Sequence, residues 1–100
     1  MPQKTINAAA DGDNVILDMA TANFTAVMEM FFSVTAAGTV IVKDEAGTEF
    51  GRYRFGADGG TATMAPMGDG APRFQAKGDL ILTNSAGLDV LGHFTYSTRS

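Results

Sequence analysis

The sequence of 100 residues contains no cysteine, no tryptophan and one histidine, and these absences exclude several kinds of chemistry. Without cysteine the chain can form neither a disulfide nor a thiolate metal site. A histidine base needs a nucleophile and an orienting carboxylate beside it. Asp89 shares a strand face with His93 but lies four residues away, too far for contact in an extended chain. We therefore interpret His93 as a surface or interface residue, and expect no enzymatic activity, no cofactor and no metal.

Basic residues and long apolar runs are also scarce. Seven Lys and Arg oppose eleven Asp and Glu, which gives a net charge of −4. Such a chain would repel phosphates, so we expect no nucleic-acid partner. The longest apolar run, 26–34, contains Glu29 and falls short of the roughly 18 residues of a membrane-spanning helix. The N-terminus lacks a basic-then-apolar signal pattern, so we expect no export and no membrane association.

What is present is alternation of apolar and polar residues, which predicts β-strands. The longest such stretch, Phe24–Val34, predicts an inward row of even-numbered and an outward row of odd-numbered residues. Residues 21–32 also contain the helix-favouring Ala, Met and Glu, but the sustained alternation and the aromatic residues favour a strand. Phe31 falls in the outward row. Either a loop covers it or it contacts another chain.

Two stretches predict β-hairpins with the turn pattern Asx-x-Ala-Gly. The first joins Thr39–Lys43 to Phe50–Phe55, and the second joins Asp79–Thr83 to Leu88–Ser97. The predicted inward row of the last strand is Leu88, Val90, Gly92, Phe94 and Tyr96, with Leu91 and His93 facing the other way. At the first turn we interpret the carboxylates of Asp44, Glu45 and Glu49 as a solvated tip rather than a glycoside-cleaving pair.

Shorter segments complete the predicted fold. A turn at Asp11–Asn14 leads into a strand to Met19, with Val15, Leu17 and Met19 on one face. A weak strand at 61–65, a proline-bounded loop at 66–72 and a short strand at 73–77 follow. The sequence thus predicts an all-β protein of about seven or eight strands, an antiparallel β-sandwich that is jelly-roll-like, with residues 14–100 as one domain.

Residues 1–13 have two open interpretations: an arm that reaches a neighbouring molecule, or the first strand of the domain. As an arm, Lys4, Thr5, Ile6 and Asn7 could add a strand to a partner's sheet edge, with Ile6 as the side-chain anchor. Phe31 is the fifth candidate partner-binding residue.

Residues 52–55 alternate arginine with aromatic residues, and two interpretations are again open. Tyr53 with Arg52 and Arg54 could form a sugar- or peptide-binding surface through stacking and cation–π contacts. The alternative is an edge strand whose charged outer face discourages unwanted pairing.

Two segments resemble those of a known class of proteins. They are Gly38–Thr48, Gly-Thr-Val-Ile-Val-Lys-Asp-Glu-Ala-Gly-Thr, and Lys77–Tyr96, which begins Lys-Gly-Asp-Leu and ends Gly-His-Phe-Thr-Tyr. With the Gly/Pro-rich middle, they resemble small β-sandwich structural proteins of tailed bacteriophages, over about a third of the chain.

The resemblance implies a virion role, capsid decoration or cementing above all, with another small component of the head–tail or tail region as the alternative. It implies the major capsid protein or another virion protein as partner, and a location on the capsid surface after synthesis in the host cytoplasm. By analogy with decoration proteins that occupy three-fold positions, it also implies self-association, as a trimer.

Overall fold

The fold was obtained as a computed structural model that describes residues 2–20 and 23–99. Met1, Thr21, Ala22 and Ser100 lie outside the described residues. These include Met1 of the predicted arm and Thr21 and Ala22 of the rejected helix. The described residues form nine strands: β1 (Gln3–Ala8), β2 (Gly12–Leu17), β3 (Phe24–Val34), β4 (Gly38–Asp44), β5 (Glu49–Phe55), β6 (Gly60–Met64), β7 (Phe74–Lys77), β8 (Leu80–Asn84) and β9 (Val90–Arg99).

The nine strands make two antiparallel sheets that pack face to face. Sheet 1 has the order β1-β9-β3-β6, with the short β7 pairing the first half of β3, and sheet 2 has the order β2-β8-β4-β5. No helix occurs in residues 2–20 and 23–99. The predicted all-β fold and the antiparallel β-sandwich are therefore confirmed.

The pairing is nested like a long hairpin folded over on itself. β4 pairs with β5 at its tip, β3 with β6, β2 with β8, and β1 with β9 at its open end. Two further pairings, of β3 with β9 and of β4 with β8, join these pairs side by side into sheets. Because β1 pairs with β9, the two ends of the described chain lie in neighbouring strands.

The core lies between the sheets and is built from the inward rows of both. Phe32 of β3 makes edge contacts with Tyr53 and Phe55 of β5, with ring centroids 5.4 and 6.3 Å apart. Phe50 of β5 stacks on Phe74 of β7 at 4.3 Å. These contacts join the two sheets along the side where β5 ends one sheet and β6 and β7 end the other.

The predicted second hairpin is wrong. β8 and β9 do not pair; β8 lies in sheet 2 and β9 in sheet 1. The intervening residues cross from one sheet to the other, and Leu88 among them is only 2 % exposed because it fills the core. Ser85 N–H donates to the Thr39 carbonyl, and Gly87 N–H to the Asp11 carboxylate, which holds the crossing in place. The first hairpin, β4 to β5, is confirmed.

Two β-bulges shift the predicted strand faces. In β2 the register slips between Val15 and Leu17, so Ile16 and Leu17 are both buried while Val15 is 53 % exposed. Val15 and Leu17 therefore do not share a face, contrary to the prediction. The predicted turn at 11–14 is likewise wrong beyond Asp11, since β2 begins at Gly12. A bulge inserts one extra residue and turns every later side chain to the other face.

β3 has its own slip between Val27 and Glu29. The predicted rows therefore hold from Glu29 onward and are reversed from Phe24 to Val27. Thr25 and Val27 are fully buried, whereas Phe24, predicted to face inward, is exposed.

Candidate functional site

The outer face of sheet 1 brings together side chains from four strands. Two rows of paired residues cross the sheet: Thr5, His93, Phe31 and Thr63, and beside it Asn7, Leu91, Ser33 and Thr61. We call these eight residues the neutral patch, because it contains no Asp, Glu, Lys or Arg. The patch unites Thr5, Asn7 and Phe31 of the predicted partner-binding residues.

A shallow depression of about 170 Å³ lies in the neutral patch. The rings of Phe31 and His93 form one wall, with centroids 5.1 Å apart and planes tilted by 39°. Leu91, which is 51 % exposed, stands beside it, and Ser33 and Thr61 add hydroxyl groups. Phe31 is thus half-buried by a neighbour on the adjacent strand. Of the two sequence interpretations, cover by a loop is not seen among residues 2–20 and 23–99, where His93 provides the cover, and contact with another chain stays a prediction.

Gly92 lines the depression with its backbone. Phe32 and Gly92 also line it, and the Phe32 side chain is buried in the core, so on the outer face the backbone provides the floor. A Cβ on Gly92 would collide with the backbone of Phe31 and lie 2.6 Å from the Phe32 Cα. The space beside Gly92 is therefore occupied by the backbone of β3.

Two charged side chains of the outer face of sheet 1, Glu29 and Lys77, are not among the residues that line the depression. Glu29 accepts a hydrogen bond from the Thr95 hydroxyl at 3.0 Å, and the Lys77 ammonium lies 5.9 Å from the centre of the Phe24 ring. Both charges have a partner on the same face. The centre of the face is therefore left to hydroxyl, amide, aromatic and aliphatic groups.

The outer face of sheet 2 has a different character, because ion pairs cross it. The Asp13 carboxylate accepts from the Thr83 hydroxyl at 2.7 Å and lies 3.2 Å from the Lys43 ammonium, and these hydrogen bonds, that of Thr83 first, lower the pKa of Asp13. At the edge, the Arg52 guanidinium donates to Glu49 at 2.8 Å and lowers the pKa of that carboxyl. This face has the pattern of an ordinary solvated surface.

Residues 3–8 are the first strand of sheet 1, so the second of the two interpretations of the N-terminus is the one the structure has. Lys4, Thr5 and Asn7 are exposed, but Ile6 is fully buried in the core. Ile6 was predicted as an anchor on a partner and that prediction is wrong, because its side chain lies between the two sheets.

β1 is an edge strand with a free side. The Tyr96 N–H donates to the Pro2 carbonyl at 3.1 Å, and the β1–β9 register continues from there without a bulge. In an antiparallel pair, residues alternate between bonding the partner strand and pointing their N–H and C=O away from it. Counting from Pro2, the backbone groups of Gln3, Thr5 and Asn7 point to the free edge.

The carboxylates at the acidic tip of the first hairpin accept backbone N–H groups from other segments of the chain. Asp44, predicted to be solvated, is 4 % exposed, and its carboxylate accepts the backbone N–H groups of Thr48 at 2.9 Å and Lys77 at 3.0 Å. Asp79 accepts the Met19 N–H, and its own N–H donates to Glu45. These contacts tie chain segments to one another. Among the described residues no group of three His, Asp or Glu side chains is arranged to hold a metal ion.

The aromatic residues of β5 face the core. Tyr53 contacts Phe32, and burial raises the pKa of its hydroxyl, with a smaller opposing effect of Arg73. Arg52 and Arg54 point outward from a strand at the edge of sheet 2. The edge-strand interpretation therefore fits the structure. Because Tyr53 packs toward the core, it does not offer the outer face of β5 a ring on which a sugar could stack.

Sequence reasoning identified Phe31 and Leu91 as outward apolar residues, but missed the contributions of Ser33 and Thr61. Ser33 lies on β3 itself, two residues from Phe31, and nothing in the local sequence indicates that β6 places Thr61 opposite Ser33. Comparison of the chain with models of known protein families, with curated proteins and with solved structures gave no match. In the described part of the chain, no helix is long and apolar enough to cross a membrane.

Proposed function

We propose that this chain is a non-enzymatic structural protein of a phage virion, bound to the capsid lattice as a decoration or cementing protein. The free edge of β1 carries the attachment. The backbone groups of Gln3, Thr5 and Asn7 point outward there, so an extended segment of the major capsid protein can add to sheet 1 as a further strand. The attachment thus uses residues predicted from the sequence, with backbone hydrogen bonds in place of the Ile6 anchor.

The nested strand pairing supports the same proposal. The nested pairing across a five-stranded and a four-stranded sheet is compatible with the predicted jelly roll, a fold that occurs in viral capsid domains as well as in lectins and cupins. Fold alone does not define function. Combined with the resemblance of residues 38–48 and 77–96 to phage structural proteins, it favours a virion component over a sugar-binding module.

The chemistry of β1 also indicates the kind of partner. Lys4 is an exposed charge in the middle of the edge, and such side chains disfavour pairing between two copies of the same edge. A partner strand that carries a carboxylate opposite Lys4 would not meet this repulsion. The edge is therefore suited to a different protein, and repeated attachment across a lattice allows each single contact to be modest.

A proline substitution tests the attachment directly. Thr5→Pro removes one outward N–H, and proline is tolerated at an edge whose N–H does not pair within the sheet. We expect the variant to fold and to lose co-sedimentation with capsids assembled from the capsid protein encoded beside its gene. The control Thr5→Val changes the side chain but keeps the N–H, and should bind as the unaltered protein does.

The proposal fails if Thr5→Pro binds capsids as well as Thr5→Val does. It also fails if the gene lies within an operon for sugar use, with no capsid or tail gene beside it. A capsid or tail gene as neighbour, together with the loss of binding in Thr5→Pro alone, would support it.

A further inference from the structure

We propose that the loop of residues 65–73, between β6 and β7, is a proteolytic processing site. An endopeptidase that binds an apolar side chain cuts it between Met67 and Gly68, and the two products stay together as one folded protein. Water adds across that bond, its hydroxyl to the Met67 carbonyl carbon and its hydrogen to the Gly68 nitrogen, which leaves a carboxyl and an amino group. The loop lies at the edge of sheet 1 opposite β1, so the site does not depend on the proposed attachment.

The 65–73 loop is open to an approaching enzyme. Residues 65–70 are all exposed and lie outside the strands. A Cβ on Gly68 or Gly70 would meet nothing within 4 Å, so there is free space around this part of the backbone. Exposed loop tips of small and polar residues are preferred sites of proteolytic cleavage.

The loop can also open without breaking the pairing of β6 or β7 with β3. The Gly70 N–H donates to the Met67 carbonyl at 3.1 Å, and the Asp69 carboxylate accepts the backbone N–H two residues on at 3.0 Å, so these bonds stay within the loop. The loop joins the sheet at Arg73, whose N–H donates to the Val27 carbonyl at 2.8 Å. Cleavage of a folded protein requires a segment that opens locally, and this loop has few contacts to lose.

The hairpin tip at 45–49 is a second exposed run, but it is tied to other parts of the chain. The Glu45 N–H donates to the Asp79 carbonyl at 2.9 Å, and the Thr48 N–H donates to the buried Asp44 carboxylate at 2.9 Å. Opening this tip therefore breaks bonds that hold β4 and the connection between β7 and β8 together. The 65–73 loop is the better substrate.

The side chain of Met67 selects the bond. The large apolar residues that are exposed in the described part of the chain are Val15, Phe24, Met67 and Leu91. Three of them lie in β2, β3 and β9, where strand pairing holds the backbone, whereas Met67 lies in the loop and is 42 % exposed. An endopeptidase with an apolar pocket finds at Met67 both the side chain that it binds and a backbone that it can reach.

The two products should stay associated because each completes the sheets of the other. Cleavage after Met67 separates β1–β6 from β7–β9, yet β9 lies between β1 and β3 in sheet 1 and β8 lies between β2 and β4 in sheet 2. Neither product contains a whole sheet. The shorter product also contributes buried side chains to the core, among them Leu80, Leu82, Leu88, Val90 and Phe94.

Limited proteolysis of the folded protein with chymotrypsin, whose pocket takes apolar side chains, tests the proposal. We expect one early cut, after Met67, and mass spectrometry should assign the fragments to residues 1–67 and 68–100. The fragments should elute together at the volume of the uncut protein. Because the cut protein unfolds into two separate chains, its melting temperature should rise with protein concentration more steeply than that of the uncut protein.

The matched variants are Gly68→Pro and Gly68→Ala. Gly68 is the second residue of the turn that the Gly70 N–H closes on the Met67 carbonyl, a position that favours proline, so both variants should fold. We expect Gly68→Pro to slow the cut after Met67 about 20-fold or more, because proline lacks the N–H and the backbone freedom that the enzyme requires after the cleaved bond. Gly68→Ala should be cut at nearly the rate of the unaltered chain, since the added Cβ meets nothing within 4 Å.

Four results would overturn the proposal. They are an early cut outside residues 65–73, no cut until the whole protein unfolds, fragments that separate on elution, and equal rates for Gly68→Pro and Gly68→Ala.

Discussion

The carboxylate of Asp44, at the end of β4 in sheet 2, accepts the backbone N–H of Lys77 in β7 of sheet 1 at a distance of 3.0 Å. Its other oxygen accepts the Thr48 N–H at 2.9 Å and closes the turn of the first hairpin. One buried side chain thus satisfies donors from both layers of the sandwich. Buried donors that lose their acceptor are costly, which makes Asp44 a structural residue at the acidic tip.

We predict that Asp44→Ala lowers the free energy of unfolding by about 3 kcal/mol, because it leaves two backbone N–H groups without an acceptor. Asp44→Asn should cost less, since the amide oxygen can still accept one of them. Urea unfolding followed by fluorescence or circular dichroism measures both. Asp58→Ala, at an exposed turn, is the control. Equal stability of Asp44→Ala and Asp58→Ala would contradict the structural role.

Gly92→Ala should be among the most destabilising single changes. The added methyl group meets the backbone of Phe31 and Phe32, which cannot move without breaking the pairing of β3 with β9. We expect a loss of about 3 kcal/mol, at the upper end for overpacking. Gly68→Ala is the control, since a Cβ there meets nothing within 4 Å. Comparable melting temperatures for the two variants would show that β3 and β9 can separate locally.

The sequence predicted features that local chemistry determines. Alternation identified β3 with its observed bounds, and the turn at Asp44–Gly47 identified the hairpin of β4 and β5. It did not predict the partners of β8 and β9, because the pattern Asn84–Gly87 specifies a change of direction and not the sheet in which the next strand lies. Leu88, in the connection between β8 and β9, packs in the core between the two sheets.

The bulges and the depression could not be predicted for a related reason. The slip at Ile16 in β2 and that at Met28 in β3 each depend on the partner strand, and no local motif marks them. Phe31 and Leu91 were recognisable as outward apolar residues. Ser33 and Thr61 lie on the same surface because the register of β3 with β6 pairs Ser33 with Thr61, and that of β3 with β9 pairs Ser33 with Leu91.

The ion pair on sheet 2 makes a prediction for acidic pH. The hydrogen bond from Thr83, and then that from Lys43, hold the pKa of Asp13 below its usual 3.8. A lowered pKa means that the stabilising contribution is present above the ordinary value and is lost as the pH falls through the folded-state pKa. The effect on stability should be small because the pair is exposed.

Nuclear magnetic resonance titration of the Asp13 carboxyl measures this directly. In Thr83→Val the pKa of Asp13 should rise toward 3.8, and in Lys43→Gln it should rise less, since the Thr83 bond is the larger cause. The unaltered protein, titrated under the same conditions, serves as the reference. No change in Thr83→Val would mean that the hydroxyl does not donate to Asp13 in solution.

The crossing between β8 and β9 is tested by Leu88→Ala. If Leu88 fills the core between the sheets, as its 2 % exposure indicates, truncation leaves a cavity and lowers the free energy of unfolding by about 3 kcal/mol. If Leu88 instead lay at the surface of this connection, its truncation would cost far less. Leu91→Ala, three residues on and exposed, is the matched control and should cost about 0.5 kcal/mol or less. Chemical denaturation of the two variants in parallel measures the difference, and similar losses in both would contradict the burial of Leu88 in the core.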